Sequence, residues 1–216
     1  MSEYGSPPAT HTSTRNARAW AYALGASLTG GLALGVLTNL AQGWLPGAWN
    51  QVANSGAVWS VAAFAAGALL AGRSSLPIAA FGGLCAEAGL VIGYYGYAEF
   101  GRDGMGSLFF PLVWLAIAFV AGPIFGIAGL WWRRGSSGQR VTALAALAGV
   151  FGMEAIYYAW VLNYTPQALA SLAVFLLVPL LMARTHKERA LALLVAVPFS
   201  LLAYAIVELP LQLISE

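Results

Sequence analysis

Three glutamates lie inside long apolar runs of this sequence, and their chemistry most needs explaining. Of eight acidic residues, Glu3, Asp103, Glu188 and Glu216 fall in tails or loops and Glu99 just past an apolar run, which leaves Glu87, Glu154 and Glu208. A charge at the centre of a bilayer costs about 2.5 to 3.5 kcal/mol on insertion scales, so such residues normally face the interior of a helix bundle. No Lys, Arg or His lies within these runs to neutralise them. Desolvation and mutual repulsion then favour neutral carboxylic acids, which can donate a proton. Aromatic residues accompany them at helical spacing: Tyr94 with Glu87, Phe151, Tyr157 and Tyr158 with Glu154, and Tyr204 one turn before Glu208. The expected working centre is a chamber both acidic and aromatic, whose tyrosines hydrogen-bond a carboxyl or present π faces to a cation.

Several other chemistries are excluded by what the chain lacks. There is no nucleotide-binding loop, nucleophile triad or metal-ligand cluster. His11 and His186 both lie outside the apolar runs, against a histidine-held metal or a histidine base in the membrane. The lone Lys187 is in a loop, which removes the Schiff base of a retinal protein, and aspartate-rich magnesium motifs are absent. Cys85 has no partner for a disulfide. The expectation is chemistry with no cofactor and no metal. Nor is there a basic patch suited to nucleic acid.

The elements that must position these acids are membrane helices. The 216 residues are 60% hydrophobic and 8% charged, where a soluble domain carries roughly a quarter charged residues. About 20 apolar residues cross the hydrocarbon core, and seven segments qualify, approximately 19–40, 55–71, 76–97, 109–132, 141–162, 167–182 and 190–213. Arg15, Arg18, Arg73, Arg133, Arg134, Arg140, Arg184, Lys187 and Arg189 then fall on one side and Arg102 alone, beside Asp103, on the other. Basic residues mark the cytoplasmic face, so the expectation is an all-α, seven-transmembrane-helix bundle in the cell (inner) membrane, N-terminus in and C-terminus out. Residues 1–14 read as a disordered cytoplasmic tail rich in Ser, Thr and Pro, and 15–216 as one membrane domain. At 1.5 Å per residue, Glu87 lies roughly 16 Å, Glu154 roughly 20 Å and Glu208 roughly 27 Å into their outward-running spans.

The second and fourth spans share a pattern: Trp59, Phe64 and Gly67 recur as Trp114, Phe119 and Gly122. Each preceding span carries Gly-Gly-Leu, at 30–32 and 82–84, which points to a repeated two-helix hairpin. Small residues, among them Gly31, Gly35, Gly67, Gly83 and Gly149, allow close helix approach in lipid.

An acid that protonates something apolar, inside aromatic walls that stabilise positive charge, resembles the small membrane-bound terpene cyclases of fungal meroterpenoid pathways and of bacterial indole sesquiterpenoid pathways of the drimentine kind. The resemblance rests on seven spans over the whole chain, on Glu87 in Gly-Leu-Cys-Ala-Glu-Ala (83–88) and on Glu154 in Gly-Met-Glu-Ala-Ile-Tyr-Tyr (152–158). It implies that a prenylated or epoxyprenylated lipophilic substrate is protonated by Glu87 or Glu154, with Glu208 as a third candidate. It also implies a chamber shaped by Trp59, Tyr94, Trp114, Phe119, Tyr157 and Tyr158. The alternative expectation is a small proton- or cation-coupled transporter using the same glutamates. Pro123, Pro179 and Pro198 inside spans favour it, because proline frees backbone carbonyls.

Overall fold

The computed structural model describes residues 10–72, 75–208 and 210, and every regular element among them is helical. The long helices are α1 (Thr10–Trp44), α4 (Leu76–Gly101), α5 (Phe109–Arg134), α6 (Ser137–Trp160), α7 (Thr165–Met182) and α8 (His186–Ala203). Between α1 and α4 lie a short helix α2 (Trp49–Ala53) and α3 (Gly56–Leu70). Seven stretches are long and apolar enough to cross a membrane, the second being α2 and α3 in series. The chain is a multi-pass membrane protein. Its first helix starts at Thr10, inside the segment expected to be a tail, of which residues 1–9 lie outside the described residues.

Local signals set the helix ends. Ser136 accepts from the Gln139 N–H while its own N–H donates to Gln139 Oε1, a reciprocal cap that starts α6. Thr185 Oγ1 accepts from the Glu188 N–H at the start of α8, and Ser55 Oγ from the Val58 N–H at the start of α3. Pro77 and Pro166 occupy first-turn positions of α4 and α7, where a missing N–H costs nothing. α8 ends in a wider, π-helical turn over Tyr204–Glu208.

Lipid tails are as apolar as leucine, so close packing holds membrane helices together in place of the hydrophobic effect. The bundle achieves this with glycine. A Cβ on Gly31 or Gly35 of α1 would overlap the backbone of Ala86 or Leu90 on α4. Gly67 of α3 and Gly83 of α4 both meet Gly126 of α5, and Gly149 of α6 meets Phe199 of α8. All five glycines singled out from the sequence thus sit at close approaches. Gly126→Ala would place its methyl 3.0 Å from the Gly83 Cα and against the Ala79 carbonyl. Its expected cost is about 1–3 kcal/mol, read from unfolding of the reconstituted protein; an unchanged transition would contradict this junction.

α1 packs mainly on α4, α7 and α8 pack on α6, and α3 and α5 join the two groups. Large apolar side chains such as Leu69, Phe119, Leu181 and Leu194 are exposed on the outer surface, as lipid contact requires.

Arg102, Arg133, Arg134, Arg140, Arg184 and Arg189 lie at or beside helix ends, whereas Arg15 and Arg18 lie within α1. Arg133, Arg134, Arg140 and Arg184 share one end of the bundle, through Arg134 on the Gly72 carbonyl, Arg184 on the Arg133 carbonyl and Arg140 on Glu188. At that end the Glu188 carboxylate is 2% exposed. Its Oε1 accepts from Arg140 at 2.5 and 3.2 Å and from Ser137 Oγ at 2.8 Å, and its Oε2 accepts from the Arg184 N–H at 3.1 Å. One side chain therefore ties the starts of α6 and α8 to the end of α7. Arg102, at the opposite end, donates to the Asn39 carbonyl at 2.7 Å and so fastens the end of α4 to α1.

Candidate active site

A cavity of about 700 Å³ lies among α3, α4, α5, α6 and α8. Its walls are almost wholly apolar; Glu87 and Ser60 are the ionisable and hydroxyl groups on them. Glu87 reaches it from the middle of α4, where Gly83 lets α5 come close on the same helix face. The residue is 4% exposed, and among the described residues its Oε2 has no hydrogen-bond partner. Buried polar groups are nearly always paired, which makes this carboxyl oxygen an exception among the described residues.

Indole rings supply the aromatic wall. Trp59 of α3 and Trp114 of α5 both line the cavity, with ring centroids 5.3 Å apart. The sequence repeat thus brings its two tryptophans together. Among the described residues Trp59 also has no partner for its Nε1–H. Behind it stands Tyr94, at 5.5 Å between ring centroids, whose hydroxyl donates to Gln42 of α1 and which packs edge-on against Tyr95. Tyr94 supports the Trp59 ring without lining the cavity.

The cavity opens sideways. Val120 and Ile124 of α5 and Leu202 of α8 line it while being more than half exposed on the bundle's outer surface, as does Ile206 in the π-helical turn. α5 and α8 each pack on α6, and the opening lies between them. A lipophilic molecule in the bilayer meets this mouth without crossing water.

Glu154 has a different setting from Glu87. Its Oε1 accepts from Ser55 Oγ at 2.5 Å and from the Ala57 N–H at 3.0 Å. It therefore caps α3 where the second span breaks, accepting from one of the N–H groups that a helix start leaves unpaired. Its neighbours Met153 and Gly56 line the cavity, but Glu154 itself does not. The expectation of one chamber holding both acids is replaced by an acid in the chamber and an acid that fixes its edge. The reason is the break after Ala53, which leaves N–H groups that α6 must satisfy.

A family model described as a family of unknown function, DUF6518, matches residues 14–213. The chain belongs to the DUF6518 family. No curated protein and no solved structure matches it.

Tyr157, Tyr158 and Phe119, also expected in the site of this DUF6518 protein, are not among the residues that line the cavity. Tyr157 and Tyr158 pack together at 6.1 Å beside Glu154. Phe119 is 63% exposed on the lipid-facing side of α5, whereas its repeat counterpart Phe64 is 4% exposed. The motif positions are alike but their neighbours differ, so Phe119 does not shape the chamber. Glu208 ends the π-helical turn, and its side chain lies outside the described residues. Sequence reasoning passed over Ser55, Ser60 and Gln42; Ser55 alone carried a signal, as a capping residue before an apolar run. Among the described residues, no group of three His, Cys, Asp or Glu is placed to hold a metal ion.

The two settings of the acids separate by mutation. Glu154→Ala leaves the Ala57 N–H and the Ser55 hydroxyl without this acceptor and is expected to cost about 1–3 kcal/mol. Glu154→Gln keeps an acceptor oxygen and should cost less. Thermal unfolding in mild detergent measures both, and equal losses would contradict the capping role.

Proposed function

We propose that this protein is a membrane-embedded terpene cyclase of the cell membrane, which starts cyclisation of a prenylated or epoxyprenylated lipophilic substrate by protonation from Glu87. The observation that supports this reading is the Glu87 Oε2, unpaired among the described residues, in a largely apolar cavity walled by Trp59 and Trp114. Burying an ionisable group among apolar walls is costly, which is a reason to read Glu87 as kept for its chemistry. A cavity of about 700 Å³ also falls within the range that encloses a small ligand.

In this mechanism the Glu87 proton moves to the terminal alkene carbon or epoxide oxygen of the bound substrate. The resulting carbocation is attacked by the next double bond of the same chain, and positive charge moves past the indole faces, which attract it. A proton lost from the final cation returns to the Glu87 carboxylate, which regenerates the acid, so the net reaction is an isomerisation. The apolar walls keep water from the cation, which would otherwise end as an alcohol. Glu154 holds the edge of the chamber through α3, and Tyr94 holds the Trp59 ring.

The test is to incubate membranes containing the protein with farnesylated and epoxyfarnesylated acceptors in the presence of a metal chelator, and to look for cyclic products of unchanged mass. No conversion across the panel would count against the cyclase. Proton or cation flux in liposomes that depends on Glu87, without conversion, would replace it by the transporter reading.

A further inference from the structure

A second pocket, of about 460 Å³, lies at the basic end of the bundle, away from the cavity of Glu87. Arg133 and Arg134 at the end of α5 and Arg184 after α7 line it, over a floor that includes Ala71, Trp132 and Met182. We propose that this pocket binds a phosphate group among its three guanidiniums, and that the phosphate belongs to the headgroup of an anionic phospholipid.

The arginines are held in place yet keep unused donors. Arg134 gives one N–H to the Gly72 carbonyl and Arg184 one to the Arg133 carbonyl, each at 3.0 Å. The Arg133 guanidinium lies 5.7 Å from the Trp132 ring centre, and that ring is pinned by its Nε1–H on the Met182 carbonyl at 3.0 Å. A guanidinium carries five donors, so most remain for a ligand. Among the described residues the one ion pair is Arg140 with Glu188, and none of the three pocket arginines has a carboxylate partner. Glu188, the acid at this end, accepts from Ser137, Arg140 and the Arg184 backbone. Three unneutralised, pre-positioned cations around a pocket match a phosphate better than any neutral ligand.

The position favours a lipid as the source. The pocket sits where the apolar spans end and the basic residues begin, the level of the headgroups. The helices that end there expose Leu69 and Leu181 at 83% and 74%, surfaces along which acyl chains can lie. Basic pockets between membrane helices on the cytoplasmic side bind anionic headgroups in this way.

The experiment uses the full chain in neutral detergent, with native mass spectrometry to count bound phosphatidylglycerol and phosphatidylcholine. Phosphatidylglycerol is expected to bind about tenfold more tightly, since basic residues near the membrane surface attract anionic headgroups. Arg134→Gln with Arg184→Gln should erase the preference, Arg134→Lys with Arg184→Lys should keep much of it, and Lys187→Gln should leave it intact. Equal retention of the two lipids by the unaltered protein, or a preference that survives the double Gln change, would overturn the site. Inorganic phosphate that displaces the lipid at matched concentration would overturn the lipid as source and assign the pocket to a soluble phosphate compound.

Discussion

In the proposed cyclase, replacing Glu87 with Gln is expected to lower the cyclisation rate by about 100- to 10,000-fold, the range a positioned general acid contributes. Gln fills nearly the same volume but has no acidic proton, so a protonation-initiated reaction loses its first step while the cavity keeps its shape. Stability supplies a second, independent reading. Glu87 holds an unpaired oxygen at 4% exposure, and removing an unsatisfied buried polar group together with its need for a partner is neutral or stabilising. Glu87→Leu should therefore unfold no more easily than the unaltered protein while turning over no substrate. Such a trade of stability against activity marks a residue kept for function. Full activity in Glu87→Gln would remove this residue from the proton-donor role; a large loss of stability in Glu87→Leu would mean that the carboxyl holds the bundle together.

The second large effect is expected at the basic end of the bundle. Arg140→Ala leaves the Glu188 carboxylate, 2% exposed, without its cation, and breaking a buried pair in this way costs about 3–5 kcal/mol. The double change Arg140→Ala with Glu188→Ala should recover part of that loss, because no unpaired charge then remains. Unfolding of all three variants in mild detergent measures the difference. A double variant as unstable as Arg140→Ala alone would show that packing of the arginine stem, not charge pairing, is what matters.

Much of this architecture is written in local sequence. Seven apolar runs were enough to find the spans, and the spacing within the third run placed Glu87 near the middle of its helix. The tryptophans at 59 and 114 were visible as a repeat, and they do meet. What stayed hidden depends on contacts between distant segments. Ser55 and Glu154 are 99 positions apart, and nothing in either neighbourhood says that an acid on one helix will cap a break in another. Glu188 read as a loop charge because its partners Ser137 and Arg140 belong to a different hairpin. Phe64 and Phe119 occupy identical motif positions, yet burial is decided by which helix lies opposite.

The pairing of α1 with α4 has a consequence for how the protein is made. A chain emerging from the ribosome offers α1 first, but the backbone that Gly31 and Gly35 approach, at Ala86 and Leu90, is synthesised only after α2 and α3. At roughly 5–20 residues per second, the glycine face of α1 waits several seconds in the membrane without its partner. α6, by contrast, receives both of its outer neighbours from the chain that directly follows it, α7 and then α8. The N-terminal half of the bundle therefore assembles by recruiting an early helix back from the lipid, and the C-terminal half closes as it is produced.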